Sequence, residues 1–343
     1  MLILTPIPLT LYFKRPAATS RGALRVRKVV LLRAERDGVA GWGECGVMPG
    51  LSRDDQPDYV DATRSVCDAV NRGADPAELD LAALPSVAFG LETALLDLAG
   101  GGRQPLFDTP FSRGEAALPT HGLIWMDTPA AMLAQIERKI GQGCRVIKLK
   151  VGALPFEEEL ALLAKVRQRW PAGEIELRLD ANGAWQPAET LDHLQRLASL
   201  NVAFLEQPIQ PGQPEGMAAL CAISPIPIAL DEELIAAADP ARLLETIRPQ
   251  HIVLKPSLLG GLAACQRWIE AARPLGVQWW INSLLESNVG LNALAQWASA
   301  LDDGRVHGLG TGQLFSNNVP SPLRLDGCGL RVDPSAAWGF PSP

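Results

Sequence analysis

The stretch RVIKLKVG, residues 145–152, decides how the rest of the chain is read. Val146, Ile147, Leu149 and Val151 give it the apolar, branched texture of a buried strand, yet Lys148 and Lys150 stand in the middle of it. Residues two apart on a strand share a face. Two lysines on one face of a buried strand point to a polar interior at the strand's carboxyl end, not to an apolar core.

Working outward, short apolar runs alternate with amphipathic stretches from about residue 118. The runs are THGLIWM, RVIKLKV, EIELRLD, VAFLEQP, IPIALDEE, HIVLKPS, VQWWINS and VHGLGTG. Between them lie TPAAMLAQIERKIGQG, capped by Thr128 or Asp127 with Pro129 in its first turn, PFEEELALLAKVRQRW, PAETLDHLQRLASL and GGLAACQRWIEAARPLG. Repeated strand–helix units predict a parallel sheet, and eight runs favour a closed α/β barrel over an open doubly wound sheet. Before residue 100 the texture differs. Strands run to about residue 35, KVVLLRAERDGVAGWGE predicts a hairpin turning at Asp37-Gly38, and helices are expected over 57–72 and 86–100, the second with Ser86 as its cap. The organisation expected is an α+β unit over 1–115, a barrel over 116–319, and a segment over 320–343, rich in proline and glycine, that packs back on the first unit.

Composition bounds the function. The 343 residues are 47% hydrophobic and 20% charged, with a net charge of −7 and no long basic run, which argues against nucleic acid as a partner. No apolar run is long enough for a membrane span, and MLILTPIPLTLYFKR, with its prolines and no basic start, reads as a first strand and not a signal peptide. Cys45, Cys67, Cys144, Cys221, Cys265 and Cys328 are scattered without a C-x-x-C and are expected to be reduced core residues of a cytoplasmic protein. The histidines lack zinc-like spacing; His121 and His307, near the first and last barrel strands, are expected to be satisfied structural residues, and Trp279-Trp280 to be core. GWGECG (41–46) matches a dinucleotide-binding glycine pattern, but VMPGLS follows it instead of a helix, so no such site is expected. GLGTGQL (308–314) reads equally as a tight turn or as a backbone cradle for a carboxylate or phosphate.

The chemistry lies in the last residues of the runs. The second ends with Lys148 and Lys150, the third with Asp180, the fourth with Glu206, the fifth with Asp231 and the sixth with Lys255, each about one strand–helix unit from the next. In a barrel these groups meet at the carboxyl face, where barrel active sites lie. Three converging buried carboxylates are costly without a cation, and an all-oxygen set suits a hard divalent ion such as magnesium. Lysines flanking such an ion and each other are expected to have lowered pKa values, toward the range of a working base. A strand-terminal Asp alone is more often a turn or helix cap; the set of five strands in order carries the argument.

K-x-K, D-A-N, E-Q-P, D-E and K-P-S at these intervals resemble the enolase superfamily, in its muconate-cycloisomerase-like subgroup. The resemblance spans the chain, with GWGEC and the helix before residue 100 similar to that family's capping domain. It implies a modified (β/α)7β barrel with an α+β capping domain, and a first step in which an enediolate forms as a proton α to a carboxylate is removed. It implies Asp180, Glu206 and Asp231 as ligands of magnesium, with manganese able to substitute, and Asn182 and Glu232 as residues supporting them. Lys150 is implied as the acid/base, Lys148 as its electrostatic partner and Lys255 as the lysine of the opposite face. GWGECGVMPGLSRDD, FGLETALLDLAG, NSLLESNVGLNALAQW and GLGTGQLFSNN look most similar to the superfamily's dehydratases of menaquinone biosynthesis, lyases that aromatise a succinyl-hydroxy-cyclohexadiene carboxylate. Ser283, Glu286, Gly310, Thr311 and Gly312 then fall near the substrate. The alternatives are an N-succinylamino acid racemase, a dipeptide epimerase, or a barrel without chemistry. Gly310-Thr311-Gly312 stands where epimerases carry Asp-x-Asp for a substrate ammonium, and all the ligands and lysines are present, which counts against the last two. The expected partner is a small carboxylate; self-association is left open.

Overall fold

The structure, a computed structural model, describes residues 1–19, 22–301 and 304–341. A first unit is a three-stranded antiparallel sheet of β1 (Ile3–Thr19), β2 (Gly22–Arg36) and β3 (Val39–Cys45), in that order. The β2–β3 turn sits at Asp37 and Gly38, both at positive φ (52° and 80°), the conformation two-residue hairpins require. Helices α1 (Tyr59–Asn71) and α2 (Pro85–Ala99) cover the sheet, close to the expected spans. Ser86 does not cap α2: Leu84 holds that position, and the Ser86 hydroxyl instead bonds Asp54 and the Tyr59 hydroxyl. The glycines of GWGECG serve packing. A Cβ on Gly43 would lie 2.0 Å from the carbonyl oxygen of Gly90, and one on Gly90 would lie 2.2 Å from Cys45 Sγ, so β3 and α2 meet glycine to glycine.

The strand–helix alternation then follows in full: β4 (Leu118–Pro119), β5 (Gly122–Ile124), α3 (Pro129–Gly141), β6 (Val146–Lys150), α4 (Phe156–Arg169), β7 (Glu176–Asp180), α5 (Pro187–Ala198), β8 (Val202–Glu206), α6 (Pro214–Ile223), β9 (Ile228–Leu230), α7 (Pro240–Ile247), β10 (His251–Leu254), α8 (Pro256–Leu259), α9 (Leu262–Ala272), β11 (Gln278–Ile281) and α10 (Asn288–Leu301). Strands β5 to β11 pair in sequence order, all parallel. The eighth run contributes only residues 307–308, which bridge Thr120 on one side and Asn282 on the other and so join the two edges of the sheet. The fold is α/β, a (β/α)7β barrel with an α+β capping unit. Thr128 accepts from Ala131 N and caps α3. Leucine, isoleucine and valine from strands and helices fill the layer between the barrel and its helices, while Phe204, Ala229, Val253 and Trp280 plug the interior.

The C-terminal hairpin of β12 (Leu323–Asp326) and β13 (Gly329–Val332) pairs with β4 at the amino-terminal end of the barrel. Beyond it, Trp338 and Phe340 reach the first unit, with Phe340 stacked on Trp42 at 4.4 Å between centroids. One expectation fails here. Cys144 and Cys328 form a disulfide across 184 residues, with Cα atoms 5.1 Å apart, whereas Cys45, Cys67, Cys221 and Cys265 are free and buried as expected. The pair exists because the loop entering β6 lies beside the β12–β13 turn, a proximity that spacing along the chain does not reveal.

Candidate active site

Register sets the charged strand ends at one level. Lys150 pairs with Asp180, and Asp180 with Glu206; Ala229 lies opposite Glu206, so Asp231, two residues on, emerges just beyond β9. Lys255 follows β10 at the start of α8. The three lysines turn inward on the three carboxylates. Lys148 Nζ lies 2.9 Å from Asp180 Oδ2 and 2.5 Å from Glu206 Oε2. Lys150 Nζ lies 2.5 Å from the same Asp180 oxygen and 2.9 Å from Asn182 Oδ1. Lys255 pairs with Asp231. Asn182, at φ 47°, spans Lys150 and Glu232, to whose Oε1 it donates at 3.0 Å. Gln207 was not singled out from the sequence. Its Oε1 accepts from the backbone N–H groups of Asp231 (3.1 Å) and Glu233 (3.3 Å), tying the end of β8 to the end of β9. The E-Q-P triplet held that signal.

The electrostatics follow from burial. Desolvation opposes the charged form of Asp180, but Lys148 and Lys150 overcome it and hold the carboxyl well below its usual range. Glu206 goes the other way: burial, then the neighbouring Asp180 charge, push it well above. Burial alone would lower Lys148, and the combined pull of Asp180, Glu206 and Asp231 raises it instead. Lys255 is raised in the same way, against burial, by Asp231 first. The expected lowering of the lysines is therefore not seen for these two; carboxylates, not other cations, are their nearest neighbours. As placed, ammonium groups compensate the carboxylates, and no three acidic, histidine or cysteine side chains among the described residues are gathered closely enough to hold an ion. The donor set nevertheless fits a hard cation. It is all carboxylate oxygen, and the fully buried Glu206 has no well-aligned hydrogen-bond donor for either oxygen, only the ammonium of Lys148.

Above the cluster lies a cavity of about 330 Å³. Lys148, Lys150 and Lys255 open into it, with His121, Leu123, Trp125, Asn282, Ser283, Gly308 and Thr311 from the barrel and an apolar rim from the capping unit that includes Leu24 and Met48. Ser283 and Thr311 line this cavity, their hydroxyls 2.9 Å apart. Glu286 is not in the cavity wall. Its oxygens accept from Ser257 Oγ and Ser283 Oγ, both at 2.6 Å, and from Leu284 N at 2.8 Å, so it anchors the loop after β11. Gly310 and Gly312 also lie outside the wall. His307 is satisfied, accepting from Ile281 N at 3.1 Å. His121 is not: it is 6% exposed, and neither ring nitrogen makes a well-aligned hydrogen bond, the Asn282 side chain being the polar group beside it. Burial, then Lys148 and Arg178, keep its pKa well below the usual imidazole range. A second cavity, of about 320 Å³ around Val277, Trp279 and Arg305 at the entry to β11, contains none of these groups.

Comparison with known proteins agrees with this geometry. Residues 131–335 match the enolase C-terminal domain-like family, and residues 17–98 match the MenC N-terminal domain. The o-succinylbenzoate synthase of Desulfotalea psychrophila is 43% identical over 92% of this chain and 95% of its own length. The chain belongs to the o-succinylbenzoate synthase family of the enolase superfamily. The crystal structure of MenC from Desulfotalea psychrophila superposes with a TM-score of 0.86 at 39% identity, covering 96% of this chain and 99% of that one. A dipeptide epimerase from Enterococcus faecalis, complexed with Mg and a dipeptide, superposes at 0.84 over 98% of each chain; at 20% identity it shares the fold alone. This chain thus carries both the enolase C-terminal domain-like barrel and the MenC amino-terminal domain. No helix among its described residues is long and apolar enough to cross a membrane.

Proposed function

We infer that this chain is an o-succinylbenzoate synthase, a lyase that dehydrates 2-succinyl-6-hydroxy-2,4-cyclohexadiene-1-carboxylate to 2-succinylbenzoate in menaquinone biosynthesis. The observation that carries the reading is a strand-β6 lysine pair facing the β10-end Lys255 across three carboxylates, in a chain 43% identical to a synthase of that name. Asp180, Glu206 and Asp231 would hold magnesium, or manganese in its place. When bound, the ion supplies positive charge that favours the enediolate form of the substrate carboxylate.

The remaining work falls to side chains. Lys150, on the cavity side of the pair, takes the proton from the ring carbon bearing the carboxylate. It returns that proton to the departing hydroxyl on the same ring face, so a C–H and a C–O bond break, water leaves, and the ring becomes aromatic. Asp180 Oδ2 accepts from both Lys148 and Lys150, which fixes the two ammonium groups side by side at the cavity. Lys255 stabilises developing negative charge from the other face. Asn182 and Glu232 orient Lys150, and the Ser283–Thr311 pair lines the substrate side. The cavity wall contains no carboxylate among the described residues, so a substrate ammonium would find no partner, which disfavours a dipeptide. The proposed setting is the cytoplasm, where the Cys144–Cys328 pair would meet reductants. The test is turnover of the cyclohexadiene carboxylate by purified protein with magnesium and after chelation; full activity without a divalent ion overturns the metal assignment.

A further inference from the structure

Three segments distant in sequence meet at the cavity wall: His121 at the entry to β5, Asn282 just after β11, and Gly308 in the closing strand. A Cβ on Gly308 would lie 1.9 Å from Asn282 Oδ1 and 2.6 Å from His121 Nε2. Residue 308 must therefore be glycine for the imidazole and the amide to stand where they do. Asn282 Oδ1 is already engaged, accepting from Trp280 Nε1 at 3.0 Å, and it makes no well-aligned bond with the neighbouring ring. His121 is thus an almost fully buried side chain that opens into the cavity with both nitrogens unmatched. Such a group is destabilising unless a ligand or water meets it.

We propose that His121 donates a hydrogen bond to an oxygen of the substrate's succinyl side chain. The inference rests on the synthase reading above. The barrel order puts the carboxylates of β7, β8 and β9 across from residues 307–308, so the ring carboxylate belongs on their side. The succinyl tail extends to the opposite wall, where the polar groups are His121, Asn282, Ser283 and Thr311. All of them are neutral, and His121 alone is unmatched on both its polar atoms. A buried donor left empty without its ligand discriminates strongly against analogues lacking the acceptor.

The test compares wild type, His121→Leu and His121→Asn in saturating magnesium. Wild type must first turn over the cyclohexadiene carboxylate; failure there overturns the synthase reading and is seen before any variant is made. Inhibition constants are then measured for 2-succinylbenzoate and for benzoate, which keeps the ring carboxylate and lacks the tail. His121→Leu is expected to weaken 2-succinylbenzoate about 10- to 100-fold and to raise KM more than it lowers kcat, with benzoate unchanged, and His121→Asn to recover part of the loss. Unchanged 2-succinylbenzoate affinity, or an equal loss for both ligands, overturns the proposal. Should the leucine variant not fold, Gly308→Ala pushes the ring aside while keeping it, and the same split between the two ligands is required.

Discussion

Glu44 and Ser287 are joined across 243 residues: the carboxylate of Glu44, near the end of the last capping strand, accepts the backbone N–H of Ser287 at 2.9 Å. It also takes the Ser287 hydroxyl and, at 2.9 Å, the N–H of Gly290. A capping-unit carboxylate thereby occupies the amino terminus of barrel helix α10, where free N–H groups and the helix dipole favour an acceptor. This contact holds the lid to the loop whose Ser283, Leu284 and Leu285 face the cavity.

Burial outweighs those donors and pushes the Glu44 pKa up to about 7; burial likewise raises Glu159, which accepts from Gly152 N, to about 7. For a carboxyl raised above its unfolded value of about 4.5, the stabilising contribution is complete below that value and is lost as pH climbs through about 7. Denaturant unfolding between pH 5 and 8, at constant saturating magnesium, should show stability falling with pH, each group contributing on the order of 3 kcal/mol across its window. Glu44→Gln should flatten that slope. An unchanged slope would refute the assignment.

Lys148→Met strips the ammonium that pairs with both Asp180 and Glu206. Uncompensated buried carboxylates cost about 3–5 kcal/mol, so the variant should unfold at much lower urea without divalent ions and regain most of the loss with magnesium. Asp180→Asn should do the reverse, weakening magnesium binding by calorimetry and cutting turnover by orders of magnitude. Magnesium that fails to rescue Lys148→Met argues against a cation among these residues.

Lys150→Ala is expected to abolish dehydration while leaving magnesium binding nearly intact, since its Nζ meets Asp180 from the cavity side. Residual activity above a few per cent of wild type would assign proton transfer elsewhere.

The Cys144–Cys328 disulfide ties the loop before β6 to the C-terminal hairpin at the end of the barrel away from the lysines. By chain entropy, closing so long a loop contributes about 5 kcal/mol. Cys328→Ser, or reduction, should lower the unfolding free energy by that amount and leave kcat at room temperature unchanged. A kcat that falls in parallel with stability would show that the hairpin reaches the active site.

A dipeptide offered in place of the cyclohexadiene acid should show kcat/KM lower by at least about a hundredfold, because a buried ammonium finds no carboxylate among the described residues of the cavity wall. Parallel assays with Ala-Glu and an N-succinylamino acid check this, and a dipeptide turned over as fast overturns it.

The sequence by itself determined the barrel and the carriers of its charge. Alternating apolar runs and amphipathic stretches are local patterns, and a charged residue ending each of five consecutive runs stays legible because strand period and unit length fix where each one emerges. What only the tertiary structure decided depends on closure. His121 read as a satisfied core histidine, and it is unmatched because the closing strand brings Gly308 and Asn282 against its ring. Glu286 read as a substrate contact, and it turns instead to Ser257 and Ser283. The disulfide and the Glu44 cap join segments 184 and 243 residues apart. No periodicity encodes which atoms meet over such separations; that is set when the sheet closes and the capping unit docks, as buried polar groups take the partners that packing leaves within reach.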